Sequence, residues 1–330
     1  MTRRRELLVG IGAGALATLA GSLPAWASPA GKLRVASLKL GSLAWLLQTM
    51  RAEGLDKAAD LEIEIIDVAT NQAGPVALLA GEADIIVSDW TWAMRQRSMG
   101  EALVFAPYSS ALGALMVSRD SGVRSISDLA GKRLGVAGSA IDKSWLLLRA
   151  YSRRTTGKDV AEIASPIFGA APLVSEELRN GRLDAVLTFW TFAARLKGAG
   201  FETVLSVDDM MKGLGVAPPP PLVGFVWRER TGAEKGQEIA AFLGAVEAAN
   251  RVLATSEVAW ERLKPLVKPA SEGELAAIKA GYRAGIPGRW SEAETRSAEK
   301  LMALLMAEGG TELVGSGTRF DQKLFHGAGN

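Results

Sequence analysis

The apolar positions of this chain follow strand and helix spacings in turn, and the same order of elements comes twice. Leu33 to Leu38 is a short apolar run that predicts a buried strand. Leu43 to about Glu53 then has helical spacing, after a Lys39-Leu40-Gly41-Ser42 turn in which Ser42 is placed to cap the helix. Leu61 to Val68 alternates isoleucine with glutamate, so it predicts a strand with one wet face. Pro75 to Ala80 predicts a short helix stopped by Gly81, because glycine tolerates the left-handed cap. Ala83 to Ser88 predicts another buried strand. Further on, Arg133 to Ala137 reads as a strand, and a helix runs from Asp142 or Lys143 to about Arg153. Glu162 to Ile167 is a less apolar strand candidate, Leu173 to Asn180 a helix stopped by Gly181, and Leu183 to Thr188 a buried strand. Strands alternating with helices imply a mostly parallel sheet covered by helices in each half.

The two halves also match residue by residue, at an offset of 100 positions. Gly81-Glu82-Ala83-Asp84-Ile85-Ile86-Val87-Ser88-Asp89-Trp90-Thr91-Trp92 lines up with Gly181-Arg182-Leu183-Asp184-Ala185-Val186-Leu187-Thr188-Phe189-Trp190-Thr191-Phe192. Trp45-Leu46-Leu47 and Trp145-Leu146-Leu147 match at the same offset. Two similar α/β lobes in one chain enclose a cleft, and clefts bind small ligands.

The rest of the chain joins the lobes. Leu112 to Ser118 is apolar and strand-like and leads into the second lobe. The return runs through Gly213 to Leu222, whose four prolines, Pro218 to Pro221, make it stiff and extended. Leu222 to Trp227 reads as a strand returning to the first lobe. Ile239, Phe242, Leu243, Val246 and Leu253 begin a helical tail that continues over 259–267, 272–284 and 292–308. Such a tail is expected to pack on the first lobe and add no site of its own. The expected division is 28–117 for the first part of lobe I and 118–213 for lobe II. Residues 214–330 then supply the return crossover, the rest of lobe I and the C-terminal helices.

Composition narrows the function. Residues 1–27 have the form of an export signal: Arg3-Arg4-Arg5, an apolar stretch from Leu7 to Leu19, and the cleavage triplet Ala25-Trp26-Ala27. Cleavage there starts the mature chain at Ser28. Arg4-Arg5-Glu6-Leu7-Leu8 also fits a loose twin-arginine pattern, which leaves the twin-arginine and general export routes both open. The leader holds three arginines and one glutamate, so it accounts for the whole formal charge of +2. A near-neutral mature chain offers no basic tract to nucleic acid or anionic membranes. With no cysteine the chain cannot carry a lipidated N-terminal cysteine, which places it free in the periplasm. Its one histidine is His326, so Cys–His catalysis is excluded, and Ser–His triads and His-rich zinc sites find no support.

One stretch carries a resemblance. Ser125-Ile126-Ser127-Asp128-Leu129-Ala130-Gly131-Lys132-Arg133-Leu134-Gly135-Val136 follows the first βαβ unit and the Gly-x-x-Asp strand. It resembles the start of the second lobe in periplasmic substrate-binding proteins of ABC transporters. The branch it resembles binds nitrate, taurine, aliphatic sulfonates and thiamine-precursor pyrimidines. The similarity covers about residues 33 to 230. It implies a type II periplasmic-binding-protein fold, two α/β lobes that close on a ligand like a hinge, with a helical C-terminal tail.

Ligands of open α/β sheets bind beyond the C-terminal ends of the strands. Those ends here supply Lys39, Ser42, Asp89, Trp90, Tyr108, Asp142, Lys143 and Trp190. Trp90 and Trp190 end matching strands and are placed either to sandwich a ligand or to pack under the following helices. Asp89 is placed to hold an ammonium or a ring N–H, or to pair with Arg95. Ser42 leaves a helix N-terminus open to an anion, whereas Asp142 brings its own negative charge to the second helix, offset by Lys143. Trp45 and Trp145 fit core or cleft, and Asp84 and Asp184 read as turn or structural residues. Two carboxylates, Asp89 and Asp142, fall short of a calcium shell, so no metal and no cofactor is expected.

The expected function is therefore a monomeric periplasmic solute-binding protein, without enzymatic activity, that delivers a small polar organic ligand to an ABC permease. A sulfonate or taurine-like molecule and a flat heterocycle fit comparably. The alternatives are an enzyme on the same two-lobed fold and a periplasmic sensor or accessory binder.

Overall fold

Gly81 and Gly181 each end a helix in the left-handed conformation, at φ 76° and 69°, and the chain beyond each is tied back by the same bonds. In the first half the Arg34 backbone N–H donates to Asp84 at 2.9 Å, and its guanidinium donates to Asp84 and to the Gly81 carbonyl. In the second half the Arg133 N–H donates to Asp184 at 2.7 Å, and its guanidinium donates to Asp184 and to the Gly181 carbonyl. The N–H of Trp90 donates to the Leu222 carbonyl and that of Trp190 to the Leu112 carbonyl, both at 3.2 Å. Asp84 and Asp184 are thus structural residues, each bonded to an arginine of the neighbouring strand rather than to its own turn, and the offset of 100 is a repeat in space as well as in sequence.

A computed structural model of the chain describes residues 31–39, 41–70, 72–315 and 317–327. The export signal and the Ser28 start lie outside the described residues. Among the described residues no helix is long and apolar enough to cross a membrane.

Lobe I opens with β1 (Gly31–Leu38), α1 (Ser42–Ala52), α2 (Leu55–Ala58), β2 (Leu61–Val68), α3 (Ala73–Ala80), β3 (Ile86–Asp89), α4 (Trp90–Ser98) and β4 (Leu103–Ser109). Lobe II holds β5 (Gly113–Val117), β6 (Arg133–Ala137), α5 (Lys143–Thr156), α6 (Val160–Ile163), β7 (Ser165–Gly169), α7 (Ala171–Arg179), β8 (Ala185–Phe189), α8 (Trp190–Gly198), β9 (Glu202–Ser206) and α9 (Val207–Gly213). The chain returns through β10 (Val223–Arg228), α10 (Glu229–Glu234), α11 (Gly236–Thr255), α12 (Glu257–Val267), α13 (Glu272–Ala284) and α14 (Glu292–Val314).

The second sheet has the order β7-β6-β8-β5-β9. β6 runs parallel to β7 and β8, while β5 is antiparallel to β8 and β9. The first sheet repeats this arrangement. β1 and β2 pair in parallel, a Val35–Ile85 bridge joins them to the β3 side, and β10 lies antiparallel between β3 and β4. Each lobe therefore has four strands in one direction and one reversed strand, and the reversed strand is the one that arrives through a crossover.

Three expectations change. Gly113–Val117 belongs to the second sheet, because Leu115 pairs with Leu187 on one side and Leu205 on the other. The chain thus enters lobe II before residue 113, not between 117 and 118. The strand expected over Glu162–Ile167 divides into α6 and β7, since Asp159 caps a helical turn with a bond to Ala161 N–H. The helical tail does not stay on lobe I. α11 and α12 pack on α1, but α13 lies along α8 and α14 along α5 of lobe II. One apolar cluster accordingly joins Trp90 and Phe105 of lobe I to Trp145 of lobe II through Leu301 and Leu305 of α14.

Candidate functional site

Helices α1 and α4 of lobe I and α5 and α8 of lobe II all begin at one cavity of about 370 Å³. It lies beyond the C-terminal ends of the strands, where open α/β sheets present helix N-termini and loops to a ligand. Leu38, Val68, Val87, Phe189, Trp190 and Leu222 form much of its apolar wall.

The four helix starts differ in what caps them. α1 follows Gly41 and has no side-chain cap. Ser42 is its first helical residue rather than its cap, and the Ser42 hydroxyl accepts a hydrogen bond from Tyr108 at 2.9 Å. Burial raises the Tyr108 phenol, so it stays protonated and donates. α4 is capped by Asp89, whose carboxylate accepts the Trp92 N–H at 2.9 Å and the Thr91 hydroxyl. Its other oxygen lies 3.1 Å from the Lys143 ammonium of lobe II, so an ion pair spans the cleft. Burial alone would raise the Asp89 carboxyl; Lys143, Thr91 and Trp92 outweigh it and hold the group below the usual carboxylate range. α5 is capped by Asp142, which accepts the Ser144 N–H at 2.9 Å. Burial pushes the Asp142 carboxyl up, and Lys143 and Ser144 only partly offset it. α8 follows Phe189 and has no side-chain cap.

Of the residues expected at the site, Ser42, Asp89, Tyr108, Asp142, Lys143 and Trp190 line this cavity. Trp90 and Lys39 do not. Trp90, Ala93 and Met94 recur at helical spacing on the inner face of α4, and the fully buried Trp90 ring meets Phe325 edge-on at 5.9 Å. Lys39 is 72% exposed and pairs with Asp67 at 3.3 Å. Asp89 pairs with Lys143 and not with Arg95. Trp45 and Trp145 are core residues, each 2% exposed. The Trp45 ring nevertheless reaches the other lobe, meeting Trp190 edge-on at 6.0 Å.

Sequence reasoning placed Phe189 at a strand end facing the cleft without choosing it as a contact and passed over Thr191, Thr70 and Ser144; all four line the cavity. For Phe189 a signal was present. It occupies the one variable place in the repeat, opposite Asp89, and that mismatch marks where the two lobes present different chemistry to the cleft.

The chain can now be set beside known proteins. A family model described as NMT1/THI5-like matches residues 51–255. A Haemophilus influenzae protein assigned by name to thiamine biosynthesis is 28% identical over 137 residues, spanning 41% of this chain and 42% of that relative. Among solved structures, an alkanesulfonate-binding protein of Xanthomonas axonopodis pv. citri, bound to MOPS, superposes with a TM-score of 0.65 at 16% identity, covering 88% of this chain and 96% of its own. The periplasmic aliphatic sulphonate-binding protein of Escherichia coli also gives 0.65 at 16% identity, covering 90% and 95%. A desulfurization enzyme gives 0.58 at 14% identity, covering 84% and 92%. Binding proteins and at least one enzyme therefore share this two-lobed fold, and function must be argued from the site.

Proposed function

The chain belongs to the NMT1/THI5-like family, and from that premise we propose that it is a periplasmic solute receptor that hands its ligand to an ABC permease. The ligand is a small polar molecule with an apolar, flat body and N–H donors, a heterocycle in preference to a simple sulfonate. One observation carries the choice: among the described residues lining the cavity, the single cation, Lys143, is paired with Asp89, while Asp142 adds a second carboxylate. A bare sulfonate entering this space would find two uncapped helix starts but no free cation, and would sit beside two carboxylates, so its full charge would be only partly matched in a desolvated site. A donor-bearing ring instead places its N–H groups toward Asp142 and its face along Trp190. A cavity of about 370 Å³ suits a molecule of that size.

Titration calorimetry with an aminopyrimidine and with butanesulfonate tests this. The aminopyrimidine should bind, and Asp142→Asn should weaken it by about tenfold, the loss of one charge-assisted hydrogen bond. Tight butanesulfonate binding that ignores Asp142→Asn would overturn the heterocycle reading. The enzyme on the same fold remains the rival, because one structural neighbour bears such a name. Bound ligand recovered chemically unchanged after prolonged incubation supports a receptor; conversion to a product favours the enzyme.

A further inference from the structure

A small recess lies behind the ligand cavity, where α1, β4, α8, α11 and α13 meet. Ser42, Tyr108, Ser109, Trp190, Asn250 and Tyr282 line it. The first four also line the ligand cavity, so the two share a wall. The recess measures about 10 Å³, the room that one water-sized oxygen takes up.

Its chemistry is unlike that of the larger cavity. No charged side chain is among the described residues lining it, and Tyr108, Tyr282 and Asn250 are 7%, 7% and 8% exposed. Tyr108 donates to the Ser42 hydroxyl at 2.9 Å, and Tyr282 donates to the Asn250 side-chain carbonyl at 2.8 Å. Burial keeps both phenols protonated. These two bonds leave much unused. Neither the Asn250 amide N–H₂ nor the Ser42 hydroxyl proton has an acceptor among the described residues, and both phenol oxygens keep lone pairs. Asn250 also interrupts an apolar helix face, since Phe242, Val246, Ala249 and Leu253 of α11 are all buried. Packing alone would favour leucine there, and a buried amide left without acceptors is costly. Asn250 borders an outer hollow as well, between α11 and residues 286–290. The recess is the side on which it meets Tyr282, Tyr108 and Ser42.

We propose that this recess is a neutral polar subsite of the ligand cavity, and that it takes one uncharged oxygen able both to donate and to accept: a hydroxyl of the ligand, or a water where the ligand has none. Asn250 and Ser42 donate to such an oxygen, and a phenol oxygen accepts from it. A methyl group would leave the amide unpaired. A carboxylate or an ammonium would bring a charge to a place without a counter-ion. The subsite rests on the larger cavity being the ligand site, and it adds a preference that the carboxylates of that cavity do not supply.

Three ring compounds that differ in one substituent test this: 3-aminobenzyl alcohol, 3-methylaniline and 3-aminobenzoate. Each brings an amino-bearing ring to the larger cavity. In calorimetry the alcohol should bind about fivefold more tightly than 3-methylaniline, as one neutral hydrogen bond implies, and the carboxylate most weakly. Asn250→Leu should bring the alcohol down to the level of 3-methylaniline. Tyr282→Phe keeps the ring packing, and it should halve the preference even if the first variant fails to fold. The chain has three tyrosines, and the third, Tyr151, lies on α5 against Gly213 and serves as an internal reference. With tyrosine labelled at ¹³Cζ, the alcohol should shift the Tyr108 and Tyr282 signals and leave Tyr151 in place. An alcohol that binds no better than 3-methylaniline, or a preference that survives both substitutions, would overturn the subsite. So would shifts at Tyr282 without Tyr108, which put the oxygen in the outer hollow. If none of the three compounds binds, the ring reading of the larger cavity falls, and crystals of the ligand-free chain decide the recess. An ordered water bonded there to the Asn250 amide and a tyrosine hydroxyl supports it; no water there overturns it.

Discussion

In lobe I the helix after the first strand starts bare at Gly41, and the helix after the third is capped by Asp89. In lobe II the assignment is exchanged: Asp142 caps α5, which follows β6, and α8, which follows β8, starts bare at Phe189. A bare helix start presents free N–H groups and about half a positive charge, whereas an Asp-capped start presents a carboxylate. The cavity thus has two electropositive and two electronegative corners, one of each kind from either lobe. The backbone bonds of the repeat are meanwhile the same in both lobes, down to Arg34–Asp84 and Arg133–Asp184. The bonds that hold β strands to the preceding turn are shared, while cap positions facing the ligand differ. A duplicated skeleton can therefore build an asymmetric site.

The tryptophans opening α4 and α8 give the largest expected contrast. Trp90 is fully buried under Phe325, while Trp190 is only part-buried and lines the cavity. Trp90→Ala should cost about 3–5 kcal/mol of stability in urea unfolding, the usual range for emptying a core aromatic. Trp190→Ala should cost less stability but weaken the aminopyrimidine by about tenfold, as loss of an aromatic contact implies. If Trp190→Ala unfolds as readily as Trp90→Ala and leaves affinity unchanged, the two lobes do not differ here.

A smaller contrast is expected at the paired turn carboxylates. The Asp84 side chain is 6% exposed and takes a second ion-pair partner, Lys235, at 2.8 Å, whereas Asp184 is 30% exposed and is ion-paired with Arg133, with Lys132 acting on it from further off. Removing one member of a buried charge cluster strands the others, so Asp84→Ala should cost about 3 kcal/mol. Asp184→Ala should cost about 1 kcal/mol, because water screens the better-exposed pair. Equal shifts of the unfolding midpoint would show that the extra partner and deeper burial in lobe I contribute nothing.

Much of this skeleton was legible because the repeat rests on local rules. A glycine that must take positive φ, an aspartate next to it and an apolar triplet are readable at Gly81 and again at Gly181. The cleft was legible to the same degree, since strand ends define it, and Asp89, Asp142, Lys143 and Trp190 follow from position alone. What sequence could not tell was which way a ring turns. Trp90 and Trp190 occupy the same place in the motif, but the first is enclosed in a core cluster that includes the tail residue Phe325, over two hundred positions away. The Asp89–Lys143 pair was hidden for the same reason: it joins residues of different lobes, and no local pattern places one opposite the other. The reach of α13 and α14 onto lobe II was likewise invisible, because an amphipathic helix does not announce which surface covers it.

The smallest expected effect separates the two cap carboxylates by pH. The Asp89 carboxyl is held low in the folded chain, so its stabilisation is complete above the ordinary carboxylate pKa and is lost as pH falls toward the folded value. The Asp142 carboxyl is raised, so the folded chain holds that proton more tightly than the unfolded one. Its contribution is present in acid and disappears as pH rises from the ordinary carboxylate pKa through the folded value. Asparagine caps a helix about as well as aspartate, so substituting it isolates the charge from the cap. Asp89→Asn should cost about 1 kcal/mol at neutral pH, where it strands Lys143, and should lose less stability than the parent chain on acidification. Asp142→Asn should be as stable as the parent at neutral pH or more so, and should lose its advantage in acid, where the parent carboxyl is already protonated. Urea midpoints measured from acid to neutral pH read both curves. Profiles that move in the same direction would remove the exchanged roles of the two caps, and with them the argument that the cavity offers one carboxylate tied to a cation and another left for the ligand.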